Sequence, residues 1–256
     1  MPSTLKQRLK NNQPSLGTWL TIPHPIIAEI MAKAGFDWVA VDLEHTMTDL
    51  GITGNLIQVI DLCGISALIR LTSNDRNQIK RVMDSGAAGI IVPMINCSED
   101  AEAAVAATRY MPEGNRGVGL YRAQEYGNGF QEYVEWQKQG PVVIAQIEHI
   151  EGVRNLEEII SVDGVDAIFI GPYDLSCSMG IPGEFEHPDF LDTLERINNM
   201  AVASDLSSGI HIVEPDQEAL KTRLQEGYKL IAYSVDMRIL DVGLRSGIDI
   251  FRENAN

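Results

Sequence analysis

The sequence predicts an α/β fold, a (β/α)8 (TIM) barrel formed by one domain that spans residues 1–256. Short apolar runs rich in β-branched residues alternate with longer stretches of helical period, as in parallel sheets joined by crossover helices. There are eight such runs, and a chain of 256 residues is typical of one barrel. An open doubly wound sheet is the alternative, but it normally has a glycine-rich turn after its first strand, where this sequence reads TIPHP.

The eight predicted strands are spread along the whole chain. They cover residues 16–21, 38–44, 67–71, 89–94, 142–147, 167–170, 208–213 and 229–234. Helices are expected between them, and Pro25 stands near the start of the first one. The second begins at about Asp49 and stops at Gly64. Ser98 and Asp216 are predicted to begin two later helices as N-cap residues.

The connection over residues 112–141 is the anomaly in this pattern, because it is rich in glycine and aromatic residues and has weak periodicity. A loop of that length inside a compact domain is usually functional or interfacial. We therefore predict that it is a lid or an arm that meets another subunit. A helix at the C-terminus is also expected to take part in subunit contacts.

The composition excludes several functional classes. The net charge of −16 and the lack of a Lys/Arg cluster argue against nucleic-acid or membrane-surface binding. No apolar run approaches the ~20 residues that span a bilayer, and the cysteines Cys63, Cys97 and Cys177 suit a reducing compartment, so a cytoplasmic protein is expected. An anionic substrate would need local positive charge from a metal ion or an arginine.

Polar residues lie at the carboxyl ends of four predicted strands, where barrel enzymes carry their reactive groups. In chain order they are Asp42, Glu44, His45, Arg70, Gln146, Glu148 and Asp174. Glu148 and Asp174 belong to neighbouring strands, and two carboxylates with open positions suit a hard divalent cation such as Mg²⁺ or Mn²⁺. A metal that chelates a 2-oxo acid favours the enolate of that acid.

The remaining groups fit the same chemistry. His45, oriented by Asp42 or Glu44, is expected to move a proton, and Arg70 is expected to stabilise developing oxygen charge. Each residue alone also has a structural interpretation as a helix cap, an ion pair or a core histidine, whereas their joint occurrence favours a site. Trp19, Met94 and Cys177 are assigned to packing, and no partner is predicted for the other histidines, which are His24, His149, His187 and His211.

Five collinear motifs resemble those of the HpcH/HpaI aldolase family, the class II pyruvate aldolases. They are AEIMAKAGFDWVAVDLEH at 28–45, IKRVMDSGAAGIIVPMI at 79–95, ATRYMPEGNRGVG at 107–119, QIEHIEGVRNLEEI at 146–159 and FIGPYDLS at 169–176. The resemblance covers nearly the whole chain. It implies an aldehyde-lyase that cleaves or forms 4-hydroxy-2-oxo acids, with pyruvate and an aldehyde as its small-molecule partners and Mg²⁺, Mn²⁺ or Co²⁺ as its metal.

The resemblance also implies roles for individual residues. Glu148 and Asp174 match the family's metal ligands, His45 its catalytic base, Asp42 the residue that orients the base, and Arg70 the arginine that polarises the keto oxygen. Gln146 matches a glutamine beside the metal site and is also expected to bind the substrate, and Glu44 is expected to lie beside the site. The turn after the sixth strand would bind the pyruvate carboxylate, partly through backbone amides around Tyr173 and Asp174. Its predicted substrate-binding residues are Gly171, Pro172, Tyr173, Asp174 and Ser176. Members of the family are typically hexamers.

Two departures from the family pattern concern the substrate. Tyr173 stands where several members have a small residue, and the stretch GLYRAQEYG at 119–127 differs from the better-known aldolases. Both would line the aldehyde end of the pocket, so the acceptor aldehyde does not follow from the resemblance.

Other functions fit less well. A Schiff-base aldolase needs a lysine at the carboxyl end of a strand, and Lys229 begins its strand. A phosphosugar enzyme would have a glycine-rich phosphate loop after the seventh or eighth strand, which this chain lacks. A citramalyl- or malyl-CoA-type lyase shares the enolate chemistry but needs a basic surface for the CoA phosphates. A non-catalytic metal-binding oligomer would not need the full set of reactive residues.

Overall fold

The structure, a computed structural model, describes residues 4–255, so the ends of the predicted domain lie outside it. Eight parallel strands form a closed barrel in which each strand pairs with the next and the last pairs with the first. They are β1 Ser15–Leu20, β2 Trp38–Asp42, β3 Ser66–Arg70, β4 Gly89–Val92, β5 Val142–Ile147, β6 Ala167–Ile170, β7 Ser207–Ile212 and β8 Leu230–Val235. The predicted (β/α)8 barrel is confirmed.

Helices cover the outside of the barrel and its amino-terminal end. They are α1 Thr4–Lys10, α2 Pro25–Lys33, α3 Leu50–Leu62, α4 Arg76–Asp84, α5 Ser98–Thr108, α6 Phe130–Trp136, α7 Ile150–Arg154, α8 Leu156–Ile160, α9 Pro172–Ser178, α10 Pro188–Ala203, α11 Gln217–Gln225 and α12 Asp236–Asn254. Within residues 4–255, none of these helices has the length and apolar character needed to cross a membrane.

The interior of the barrel is a packed apolar core that stops below its carboxyl end. Alternate residues of each strand face inward, and Trp38, Leu68 and Phe169 are among those that fill the centre. Helix α1 closes the amino-terminal end by adding Leu5 and Leu9 to this cluster. With one end closed by apolar side chains, the carboxyl end is the open mouth of the barrel.

Two strands, β2 and β4, end two residues earlier than the sequence predicts, and each has a local cause. Strand β2 stops at Asp42 because the Asp42 carboxylate accepts the backbone N–H of Glu44 at 2.9 Å, which turns the chain out of the ladder. Strand β4 stops at Val92 because Pro93 has no N–H to donate, and Met94 then adopts a left-handed φ of 55°.

The helix starts predicted near Asp49, Ser98 and Asp216 are confirmed, but the N-cap role predicted for Ser98 is wrong. Asp49 and Asp216 accept backbone N–H groups as N-caps of α3 and α11. Ser98 is the first residue of α5, and Cys97 occupies the cap position without a side-chain hydrogen bond.

The 112–141 segment is more ordered than a loop, because it contains a 3-10 turn at Arg122–Gly127 as well as α6. Arg116 fixes the segment to the barrel: its side chain is buried, its Nη2 donates to the Tyr133 hydroxyl at 2.8 Å, and its Nη1 lies 3.2 Å from Asp84. The segment therefore packs against its own barrel through α4.

Candidate active site

The site lies in the top layer of inward-facing side chains, directly above the apolar core. Asp42 and Arg70 are paired in register at the ends of β2 and β3. Gln146 and Glu148 continue the inner face of β5, and Phe169 of β6 faces inward one layer below Glu148. Because alternate side chains of a strand share one face, these polar side chains all face the mouth of the barrel, as the sequence predicted for the strand ends.

Asp42 and Arg70 form a bidentate ion pair inside the mouth. Arg70 Nε donates to Asp42 Oδ1 at 2.8 Å, and Nη2 donates to Oδ2 at 2.7 Å. The guanidinium also lies over the indole ring of Trp19, with Cζ 4.3 Å from the ring centroid. These contacts fix the plane of the guanidinium and leave Nη1 without a hydrogen-bond partner among residues 4–255. Arg70 can therefore donate to an oxygen in the mouth.

His45 is at the rim and Glu44 is its charged neighbour. Its side chain is 61% exposed, and Nε2 lies 3.8 Å from Glu44 Oε2. The Asp42 carboxylate accepts the backbone N–H of His45, at 3.4 Å, and does not contact its imidazole, because the carboxylate is ion-paired with Arg70. In this structure Glu44, rather than Asp42, faces the imidazole.

Glu44 lies between cationic and anionic groups. Its Oε2 is 3.5 Å from Arg70 Nε. Burial, with a further contribution from the charge of Glu148, raises the pKa of the Glu44 carboxyl to about 7. Glu44 thus gains and loses a proton near neutral pH.

Glu148 is buried and held at both oxygens. Oε1 accepts the backbone N–H of Met94 at 2.7 Å, and Oε2 accepts Nε2 of Gln146. Burial raises the pKa of the Glu148 carboxyl, an effect that the hydrogen bonds oppose and that the charge of Asp174 increases. Met94, assigned to packing from the sequence, is half exposed and acts here through its backbone.

Gly171 brings helix α9 against Glu148. A Cβ atom on Gly171 would lie 2.7 Å from Glu148 Oε2 and 2.8 Å from Glu148 Cβ, so any larger residue would displace the carboxylate. Asp174, in the first turn of the same helix, is exposed and its charge acts on both Glu148 and Glu44. The structure thus brings the two predicted metal ligands into one electrostatic cluster.

The other residues of α9 do not share one role. Pro172 is the first residue of the helix, and Tyr173 is 53% exposed with its ring 4.9 Å edge-on to Phe185. Ser176 is fully buried, donates to the Tyr173 carbonyl at 2.8 Å and accepts the Gly183 N–H at 3.0 Å. The Ser176 hydroxyl therefore braces the turn beyond α9, and its contact with the substrate stays a prediction.

Two residues of the mouth, Trp19 and His211, are not predicted from the sequence. Trp19 carries the Arg70 guanidinium, and His211 lies edge-on to Trp19 with ring centroids 5.8 Å apart. Both occupy inward positions on strands distant from Arg70 in sequence, and nothing in their local sequence indicates the contact. The remaining histidines are helix N-caps that accept a backbone N–H through Nδ1 at 3.2 Å, namely His24, His149 and His187.

The mouth provides only part of a metal site. Within residues 4–255, no three or more His, Cys, Asp or Glu side chains are arranged to bind a metal ion. Two carboxylates, Glu148 and Asp174, suit a hard cation that keeps several water or substrate ligands, such as Mg²⁺. Buried Glu44 Oε2 and Gln146 Oε1 also lack hydrogen-bond partners, which indicates polar groups that need a further component. The residues therefore fit a divalent cation.

Comparison with known proteins gives one consistent result. The family model described as HpcH/HpaI aldolase/citrate lyase matches residues 15–241. The 4-hydroxy-2-oxo-heptane-1,7-dioate aldolase of Salmonella typhimurium is 37% identical over 95% of this chain and 92% of its own. The 4-hydroxy-2-oxovalerate aldolase of Novosphingobium aromaticivorans is 36% identical over 98% of this chain and 95% of its own. A crystal structure of a family protein from Burkholderia cenocepacia superposes with a TM-score of 0.92 at 31% identity, covering 98% of this chain and 99% of its own.

Proposed function

Because the chain belongs to the HpcH/HpaI aldolase/citrate lyase family, we propose that it is a metal-dependent class II aldolase, a carbon–carbon lyase. It cleaves 4-hydroxy-2-oxo acids to pyruvate and an aldehyde, or forms them in the reverse direction. The observation that carries this proposal is the position of Arg70, which presents free N–H donors to the same mouth as the buried carboxylate of Glu148. An enolate oxygen in the mouth would accept a hydrogen bond from Arg70, and a divalent cation held by Glu148 would supply the positive charge that the enolate requires.

Cleavage needs a base for the 4-hydroxyl group and a cation for the 2-oxo oxygen. His45 at the rim takes the hydroxyl proton, the bond between C3 and C4 breaks, and the electron pair moves towards the 2-oxo oxygen. Arg70 donates a hydrogen bond to this oxygen as its charge grows, and the bidentate contact with Asp42 keeps the guanidinium in place. His45 then returns the proton to C3, which gives pyruvate.

Glu148 and Asp174 would hold the divalent cation, with Gln146 and Met94 fixing the Glu148 carboxylate. When bound, the metal supplies a second positive charge to the carboxylate and 2-oxo oxygens of the substrate. The first-turn N–H groups of α9, at Tyr173 and Asp174, have no partner within the helix and would receive the substrate carboxylate. Tyr173 borders the aldehyde end of the mouth.

We also propose that the protein is a homo-oligomer, a hexamer by its resemblance to the family. Helix α12 carries an exposed apolar stripe with helical spacing, and Asp236 at its start is its one buried residue. The stripe comprises Met237, Leu240, Leu244, Ile248 and Phe251. A second copy of the chain is the occupant that the family relationship supports.

Exchange of the pyruvate methyl protons tests the proposed function. In D₂O, the protein with Mg²⁺, Mn²⁺ or Co²⁺ should exchange these protons for deuterium, measured by proton NMR, and EDTA should abolish the exchange. The Glu148→Gln variant should lose both metal affinity and exchange, because it keeps the side-chain shape but removes the charge.

A matched variant separates the base from the metal site. His45→Asn should bind Mn²⁺ with wild-type affinity but lose exchange, because the rim imidazole has no contact with Glu148 among the described residues. Equal metal affinity in the wild type and Glu148→Gln would show that the ligand assignment is wrong. Exchange that persists in EDTA would contradict the proposed mechanism.

A further inference from the structure

His211 is a partly exposed imidazole on the inner wall of the mouth. It follows Gly209 by two residues on β7, and a Cβ on Gly209 would meet the interior side chain of Phe169, so this face of β7 points into the barrel. The His211 ring is edge-on to Trp19, and Trp19 in turn carries Arg70. His211 and Arg70 therefore flank the same indole.

The hydrogen bonds of the ring fix its tautomer. His211 Nε2 lies 3.2 Å from the backbone carbonyl oxygen of Ser234, which also accepts the Thr18 hydroxyl at 3.3 Å. A carbonyl oxygen only accepts, so Nε2 must carry the hydrogen. Burial lowers the pKa of His211 to about 4, so the ring is neutral near pH 7 and Nδ1 is an acceptor.

His211 Nδ1 is available to a ligand. Among residues 4–255 this nitrogen has no hydrogen-bond partner, and it is not fully buried. A neutral lone pair beside aromatic rings repels a carboxylate and attracts a hydroxyl hydrogen. The wall formed by Trp19, Phe169 and His211 therefore fits an apolar group that carries one hydroxyl.

The proposed function, on which this inference rests, decides which part of the substrate reaches the wall. The carboxylate and the 2-oxo oxygen are taken by α9, the cation site and Arg70, and the aldehyde enters from the open side, where His45 stands. The C3 substituent of the 2-oxo acid is the group left to face the interior.

We propose that His211 is a specificity-determining residue, and that its Nδ1 accepts a hydrogen bond from a hydroxyl group on C3 of the 2-oxo acid donor. The enzyme thus prefers a 3-hydroxy-2-oxo acid over the unsubstituted acid. The preference is local to the interior wall and independent of the acceptor aldehyde.

Deuterium exchange at C3 of hydroxypyruvate and of pyruvate tests the inference, with the metal-loaded protein and a protein-free control for each acid. The ratio of kcat/KM for hydroxypyruvate over pyruvate should fall about tenfold in His211→Leu, the loss expected for one uncharged hydrogen bond. His211→Asn should restore most of the ratio, because its amide donates to the Ser234 carbonyl and its oxygen replaces Nδ1 as acceptor.

The outcomes separate the inference from the proposed function. If pyruvate exchanges and the ratio is equal in wild type, His211→Leu and His211→Asn, the role of His211 is wrong while the aldolase proposal stands. If neither acid exchanges in the metal-loaded wild type, both fail. Thermal unfolding and Mn²⁺ titration of each variant identify a loss of folding, and a ratio that falls in a folded, metal-binding His211→Leu and recovers in His211→Asn supports the role.

Discussion

Replacing Gly171 with alanine should damage the cation site without touching a charged residue. The added Cβ would lie 2.7 Å from Glu148 Oε2 and 2.8 Å from Glu148 Cβ, both well inside van der Waals contact. The Gly171 backbone, with φ of −95° and ψ of 91°, is open to alanine, so the cost arises from the contact and not from strain.

Glu148 has nowhere to move, because it is 2% exposed and bonded at both oxygens. A shift of several tenths of an ångström exceeds the ~0.2 Å tolerance of metal–ligand distances. We expect Mn²⁺ affinity to fall about 10- to 100-fold in Gly171→Ala. Overpacking should also lower the free energy of unfolding of the metal-free protein by about 1–3 kcal/mol.

Gly54→Ala is the matched control. Gly54 lies within α3, and a Cβ there would meet Ser85 Oγ at 3.7 Å, an ordinary contact. This variant should keep wild-type Mn²⁺ affinity and gain up to about 1 kcal/mol in free energy of unfolding. Calorimetric Mn²⁺ titration and denaturant unfolding measure both quantities. Unchanged Mn²⁺ affinity in a destabilised Gly171→Ala would refute the reasoning, because it would mean that the displaced Glu148 carboxylate does not bind the cation.

Three further outcomes are expected. Arg70→Lys should lower the rate of deuterium exchange by about 10²-fold at similar Mn²⁺ affinity. The reason is that an ammonium cannot keep the bidentate contact with Asp42 and also donate to the 2-oxo oxygen. An effect smaller than tenfold would contradict this role. Folding lowers the pKa of His211 from 6.5 to about 4, so the unfolded chain binds a proton at a higher pH than the folded protein does. Acidification from pH 8 to pH 5 should therefore lower the free energy of unfolding of the wild type by about 2 kcal/mol more than that of His211→Leu, measured by urea unfolding. Equal losses of this free energy would show that His211 is not held neutral. Leu244→Asp, in the exposed stripe of α12, should lower the mass in analytical ultracentrifugation, and an unchanged mass would place the subunit contact elsewhere.

The sequence was sufficient for the barrel because each strand and helix carries its own local period. The strands at Val142–Ile147 and Ala167–Ile170 have the predicted bounds. Errors arose where a side chain redirected the backbone, as when the Asp42 carboxylate took the Glu44 N–H and ended β2. Such capture depends on the rotamer of Asp42, which hydrophobic periodicity does not report.

The charged residues of the site could be predicted from the sequence, whereas the residues that pack against them could not. Carboxylates and an arginine at strand ends are unusual enough to be noticed, whereas Trp19 has the appearance of a core residue and was assigned to packing. Its contact with Arg70 joins β1 to β3, which lie on either side of β2, and no local pattern connects them. The same holds for His211, whose partners Trp19 and Ser234 come from β1 and β8.

Charge explains why an anionic substrate would require a cation in this mouth. Among residues 4–255, the carboxylates of the mouth face one guanidinium, that of Arg70, within a chain of net charge −16. These carboxylates are Asp42, Glu44, Glu148 and Asp174. Burial, together with repulsion between neighbouring carboxylates, raises the pKa of the Glu44 carboxyl to about 7 and also raises the pKa of Glu148. Arg70 is already neutralised by Asp42, so an added 2-oxo acid would meet net repulsion. A divalent ion at Glu148 and Asp174 reverses the sign of that field, and the substrate should therefore bind after the metal.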